Sequence, residues 1–224
     1  LGDRVRMQNY GIDEDVFIRS LATRDWKGGL SRATVDMIHV MDAMGKDIIF
    51  VEAVGAGQGE VDIAKVVDTS IVILIPGAGD EIQMMKAGIL EAADIFVVNK
   101  ADRDGADNLK IGLEIMLEMR VHLPSGWKPC IILTEAISSK GTEELADEIL
   151  RHREFLTSSG ELERRRKEKA KLELMMAVES SLKNYIDDRI DKDCLEKLVD
   201  DLVHRKINPH SAALKIINPS IKRL

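Results

Sequence analysis

The sequence predicts an α/β protein: a mostly parallel sheet with helices on both faces, followed by a helical extension. Three observations carry this. Short apolar runs of strand length, rich in Val and Ile, recur at residues 47–51, 69–75, 95–98 and 130–133. Segments with helical spacing separate them, and after residue 157 no further strand pattern appears. Strands buried on both faces and joined by helices form a parallel sheet with right-handed crossovers. With 224 residues, 45% hydrophobic and 32% charged, the chain can bury one sizeable core and carry an appendage. We divide it into a domain at 1–156 and a helical region at 157–224.

The elements follow in order. Residues 1–14 are polar and irregular, and a first strand is expected at 16–21. A loop through Gly28 and Gly29 leads to Ser31 as N-cap of a helix with Val35, Ile38 and Met41 on one stripe, stopped by Gly45. The strand at 47–51 then delivers Glu52 into a loop containing Gly55, Gly57 and Gly59. A short helix is expected at 61–67, a fully buried strand at 69–75 stopped by Pro76-Gly77, and a helix with Ile82, Met85, Ile89 and Leu90 inward. The strand at 95–98 runs into Asn99-Lys100-Ala101-Asp102, a helix covers 108–121, a strand 130–133, and a helix runs from 142 through Leu156. Thr157-Ser158-Ser159-Gly160 reads as a linker. Beyond it, 161–186 carries Leu172, Met175, Val178, Leu182, Tyr185 and Ile186 at helical spacing, a second helix repeats the pattern from Leu195 to Val203, and Asn208-Pro209 reads as the N-cap and first residue of a third. The basic run from Arg164 to Lys171 is read as a solvated helix start beside Glu161, Glu163 and Glu168, and the apolar stripe after it as a dimer arm.

Composition excludes several classes. A net charge of −7 argues against a general nucleic-acid binder. The longest apolar run is far too short to span a bilayer and no signal-peptide pattern opens the chain, so no membrane partner and a cytoplasmic location are expected. Cys130 and Cys194 show no paired spacing and read as plain thiols.

The chemistry sits at strand ends. At the carboxyl end of a parallel strand, an Asp accepts two hydrogen bonds from the N1–H and exocyclic amine of guanine, which adenine does not offer. Asn99, Lys100 and Asp102 fit that role, against the plainer reading of a solvated strand-end turn. One strand later, Thr134-Glu135-Ala136 has the place of a loop offering a backbone N–H to guanine O6, with Ala136 the donor. Glu52 and Gly55 then read as the metal-side acid and the glycine whose amide approaches a γ-phosphate. Asp3 is either a second acid at the Mg²⁺ site or a terminal solvated charge. Gln58 either orients an attacking water or is a flexible polar residue of its loop. Asp80, Gln83 and Lys86 lie on and just after a second Gly-bounded loop at the same rim, where Lys86 has the plainer reading of a solvated helix position.

Gly2-Asp3-Arg4-Val5-Arg6-Met7, Leu30-Ser31-Arg32, Val51 to Gln58, Pro76 to Asp80 and Asn99 to Asp102 together closely resemble the MeaB and ArgK GTPases, the family of the methylmalonic aciduria type A protein. The match runs from residue 1 to about 170. The resemblance implies a SIMIBI-class P-loop GTPase that binds GTP/GDP and Mg²⁺, forms a homodimer through C-terminal helices, and serves as chaperone to an adenosylcobalamin-dependent acyl-CoA mutase, typically methylmalonyl-CoA mutase. It makes Asp3 and Glu52 the Mg²⁺-site acids, Asp102 the guanine reader, and Asp80, Gln83 and Lys86 part of the loop that couples the mutase to hydrolysis. The alternatives are a non-catalytic dimeric interaction module, or a GTPase linked to basic amino-acid transport as in older family labels. Departures from the family pattern are Ala53 for Thr, Ala56 for Val, Gly59 for Ser and Asp25 for Gly. No GxxxxGK[ST] occurs in these 224 residues, and the chain opens at Leu1. The expectation is a core lacking its phosphate loop, which in isolation binds GTP poorly and does not turn it over.

Overall fold

The structure, a computed structural model, describes residues 7, 13, 15–21, 32–53, 62–77, 92–119, 126–187 and 192–221. Two compact units divide it, residues 1–169 and 170–224.

In the first unit, a helix α1 (Arg32–Ala43) precedes a 3-10 turn (Asp62–Lys65), strand β1 (Ile71–Leu74), strand β2 (Ile95–Asn99), helix α2 (Ala106–Glu118), strand β3 (Cys130–Thr134) and helix α3 (Thr142–Ser159). Among the described residues the three strands form one parallel sheet in the order β1-β2-β3, with Ile71 opposite Ile95 and Asn99 opposite Thr134. The expected parallel α/β architecture is therefore present.

β2 is central, and its side chains divide by alternation. Phe96 and Val98 join Leu74, Ala106, Leu109 and Leu113 in a core under α2. Ile95 and Val97 join Ile132 on the other face, where Leu145 and Ile149 of α3 pack against them. A central strand with residues 95–98 at most 2% exposed has no solvent face, which is why its sequence is continuously apolar.

Two expected strands are corrected. Residues 16–21 and 47–51 have no regular secondary structure. A strand exists only where a neighbouring strand takes its N–H and C=O groups, and no described strand pairs with these; Ile48 and Phe50 are exposed. Ile73 of β1 is exposed too, so the expected full burial of the strand at 69–75 is corrected. The expected linker is also corrected. The hydroxyls of Thr157, Ser158 and Ser159 donate to carbonyls three or four residues back, which keeps them in α3. The break falls on Gly160 alone, at φ 76°. The expected short helix at 61–67 is the 3-10 turn, and the expected helix at 82–90 lies outside the described residues.

A helix α4 (Glu161–Asp187) starts in the first unit. In the second, α5 (Lys192–Val203) and α6 (Pro209–Ile221) contact each other, and burial falls on Leu198 and Ala212, one in each. The α6 cap is the expected one: the Ser211 amide donates to Asn208 Oδ1 at 2.8 Å, with Pro209 in the first helical position, where its missing N–H costs nothing. Among the described residues, no helix is long and apolar enough to cross a membrane.

Candidate functional site

The parallel register brings the carboxyl ends of β2 and β3 side by side, and with them Asn99 and Thr134. Asn99 is the hub. Its Oδ1 accepts from Thr134 Oγ1 and from the Ala136 amide, both at 3.2 Å, and the Ala101 amide donates to the Thr134 carbonyl at 3.0 Å. These bonds join the turn after β2 to the loop after β3. Lys100 takes the left-handed conformation at φ 58°, rare for a side chain with a Cβ and found mostly where a site over-determines the backbone. The turn closes with the Arg103 amide donating to the Lys100 carbonyl at 3.0 Å. Asp102 then stands exposed, with no hydrogen bond or ion pair to a described residue.

The loop after β3 is closed on itself. Glu135 and Lys140 form an antiparallel bridge in which the Glu135 amide donates to the Lys140 carbonyl at 3.0 Å. Their side chains pair as well, with Nζ 2.6 Å from Oε1, and Ser138 Oγ donates to Glu135 Oε2 at 3.2 Å. The Lys140 hydrogen bond, chiefly, holds the Glu135 carboxyl below its ordinary range against the opposing effect of burial, with the Lys140 charge and Ser138 adding to it. Gly141, at φ 76°, ends the loop where a Cβ would lie 2.2 Å from the Leu133 carbonyl oxygen.

The structure thus brings Asn99, Lys100, Asp102, Glu135 and Ala136 together at one rim. It refines two of them. The Ala136 amide, expected to face guanine O6, donates here to Asn99 Oδ1. The Glu135 carboxylate is spent inside the loop, so what this segment offers a ligand is backbone. Glu52 is exposed, just past residues 47–51. Asp3, Gly55, Gln58, Asp80, Gln83 and Lys86 lie outside the described residues. No group of three His, Cys, Asp or Glu able to hold a metal occurs among the described residues. Mg²⁺ needs no such cage when one or two carboxylates share it with phosphate oxygens and water, and the oxygen ligand of Glu52 suits it.

A polar network that sequence reasoning missed lies at the opposite edge of the sheet, about 16 Å away along five-residue β2. Asp94, 7% exposed, accepts from both terminal nitrogens of Arg165, at 2.8 Å on Oδ1 and 3.0 Å on Oδ2, and from the Ser70 amide at 2.9 Å. Fully buried His152 bonds Thr69 Oγ1 through Nδ1 at 2.8 Å, and its Nε2 lies 3.4 Å from Asp94 Oδ1. That carboxylate favours the proton on Nε2, with Nδ1 accepting from Thr69. Burial, chiefly, pushes the His152 pKa down, with Asp94 opposing and Arg165 reinforcing. Trp127 packs on the imidazole with centroids 4.7 Å apart and donates to the Asp94 carbonyl at 2.9 Å. Arg165 is therefore corrected from a solvated charge to an anchor of the first turns of α4. Its neighbours keep the expected role: Arg164 pairs with Glu161 and Glu168, and Lys167 with Glu163. The signal available in the sequence was Asp94 itself, an acid directly ahead of four buried residues.

A parallel α/β fold with this strand-end constellation belongs to the GTPase class, and comparison with known proteins agrees. A family model described as methylmalonyl Co-A mutase-associated GTPase MeaB matches residues 1–190. The chain belongs to the MeaB family. A Pyrococcus abyssi protein designated a GTPase is 44% identical over 223 residues, covering 99% of this chain and 69% of that one. GTPase ArgK of Escherichia coli is 32% identical over 190 residues, covering 83% and 57%. The mouse mitochondrial methylmalonic aciduria type A homolog is 34% identical over 175 residues, covering 77% and 42%. The crystal structure of an LAO/AO transport system kinase superposes with a TM-score of 0.61 at 25% identity, covering 83% of this chain and 61% of that one.

Proposed function

We propose that the protein is a GTP-binding and GTP-hydrolysing chaperone for an adenosylcobalamin-dependent acyl-CoA mutase, of which methylmalonyl-CoA mutase is the type. The observation that carries the nucleotide reading is the rim where Asn99 ties the Asp102 turn to the Ala136 loop. Asp102 accepts from guanine N1–H and its exocyclic amine, Lys100 flanks the base, and Asn99 braces both loops. Binding at O6 requires the Ala136 amide to turn from Asn99 or to share its hydrogen between the two acceptors. Glu52 and Asp3 hold Mg²⁺, which when bound neutralises charge on the phosphates. Gly55 brings an amide close to the γ-phosphate and Gln58 orients the attacking water.

The mutase partner is supported by the family description, and the homodimer by α4, where Met175, Val178 and Leu182 are exposed on a helix that has them at helical spacing. On this reading residues 1–156 hold the nucleotide, residues 157–224 associate in the cytoplasm, and Asp80, Gln83 and Lys86 couple the mutase to hydrolysis.

The experiment is GTP hydrolysis by the intact protein with and without methylmalonyl-CoA mutase. Stimulation by the mutase is expected, with Lys86→Ala lowering the stimulated rate about tenfold and leaving basal turnover nearly intact. Equal loss of both rates would remove Lys86 from the coupling role, and no stimulation would remove the mutase.

A further inference from the structure

The rim that carries Asp102 holds a second carboxylate, Glu135, and the cation paired with it, Lys140. We propose that Lys140 is a positioning and specificity residue of this rim: it pairs Glu135 and leaves Asp102 as the single carboxylate open to the base. The inference rests on the reading of residues 99–102 as the guanine site.

Four observations carry it. Lys140 Nζ is 2.6 Å from Glu135 Oε1, with the Glu135 side chain 22% exposed and that of Lys140 75% exposed, so the acid is drawn in and the cation caps it. The two residues are also bridged through the backbone, which fixes the loop containing Ala136. The Lys140 pKa is raised first by the Glu135 hydrogen bond and then by the Glu135 charge, against burial, with the smallest contribution from Asp102. Asp102 itself makes no ion pair or hydrogen bond with a described residue.

The chemistry explains why the sorting matters. Guanine presents two donors, N1–H and the amine, to one carboxylate, and beside them the acceptor O6. A free Glu135 next to the Ala136 amide would set a negative charge against O6 and against Asp102. Paired with Lys140 it does neither, and the loop meets O6 with an N–H dipole alone.

The test is titration of a fluorescent guanosine diphosphate into the intact protein and four variants, with folding of each checked by circular dichroism. Lys140→Gln is expected to weaken binding about tenfold. Lys140→Arg should retain most of the affinity, and the double variant Glu135→Gln/Lys140→Gln should regain most of it, because no lone carboxylate remains. A purely structural loop clamp predicts the opposite for the double variant, which lacks both partners. Wild-type affinity in Lys140→Gln, or a double variant as weak as Lys140→Gln, overturns the proposal. If Lys140→Gln does not fold, the arginine and double variants decide. Asp102→Asn separates the two levels. If it leaves guanosine preference intact the guanine site itself is wrong, whereas if it shifts preference to xanthosine and Lys140→Gln binds normally, only the role of Lys140 fails.

Discussion

His152 shows at the scale of one residue how far local chemistry sets stability. Its imidazole is fully buried between Trp127, Thr69 and Asp94, and burial depresses its pKa below the ordinary value of 6.5. The sign follows from linkage. Below about pH 6.5 the unfolded chain takes up a proton that the folded chain refuses, so stability is lost as pH falls from 7 through that value toward the depressed one. Urea midpoints should therefore decline between about pH 7 and 5. His152→Phe, which keeps the packing on Trp127 and cannot titrate, should be less stable at pH 7 and flatter across this range. An unchanged slope in the variant would assign the pH dependence elsewhere. The groups around the ring, Asp94, Arg165, Glu148 and Asp68, stay in both proteins. Lys100 makes a related point: its left-handed backbone is held by the turn around it.

At the scale of elements, Gly141 couples β3 to α3. With φ 76° and a Cβ position 2.2 Å from the Leu133 carbonyl, Gly141→Ala forces the loop after β3 to move and should cost about 2–4 kcal/mol. Gly160 has the same φ of 76° but nothing within 4 Å, so Gly160→Ala should cost only about 1–2 kcal/mol. Chemical denaturation of the two variants checks the ranking, and equal losses would mean that the steric contact is not what requires Gly141. Elements held by local pattern were legible beforehand. β2 is a continuous apolar run, the α6 cap is spelled by Asn208-Pro209, and Asn99 to Asp102 lies where a strand must end. What was not legible depends on distance along the chain. The partners Asp94 and Arg165 are 71 residues apart, and nothing near Arg165 distinguishes it from Arg164, whose half-exposed side chain pairs within its own helix. The apolar runs at 16–21 and 47–51 misled for a complementary reason, because strand propensity is satisfied only by a neighbouring strand.

At the scale of the whole molecule, the sheet separates two kinds of polar chemistry. At the amino-terminal edge of β2 the acid Asp94 is consumed by Arg165 and Ser70 beside the buried imidazole, and it anchors the start of α4. At the carboxyl edge the acid Asp102 has no partner among the described residues, while its neighbour Glu135 is neutralised. Open α/β sheets bind ligands at that carboxyl edge, and membership of the MeaB family identifies the ligand class as guanine nucleotide. The most direct measurement is nucleotide binding by the intact protein before and after Asp102→Asn. An amide presents a donor where the carboxylate presented two acceptor oxygens, so it should lose guanosine diphosphate and gain xanthosine diphosphate, whose 2-oxo group accepts. The preference should invert by about a hundredfold or more, as expected when a buried donor–acceptor match is exchanged for a mismatch. Unchanged guanosine preference in Asp102→Asn would contradict the account.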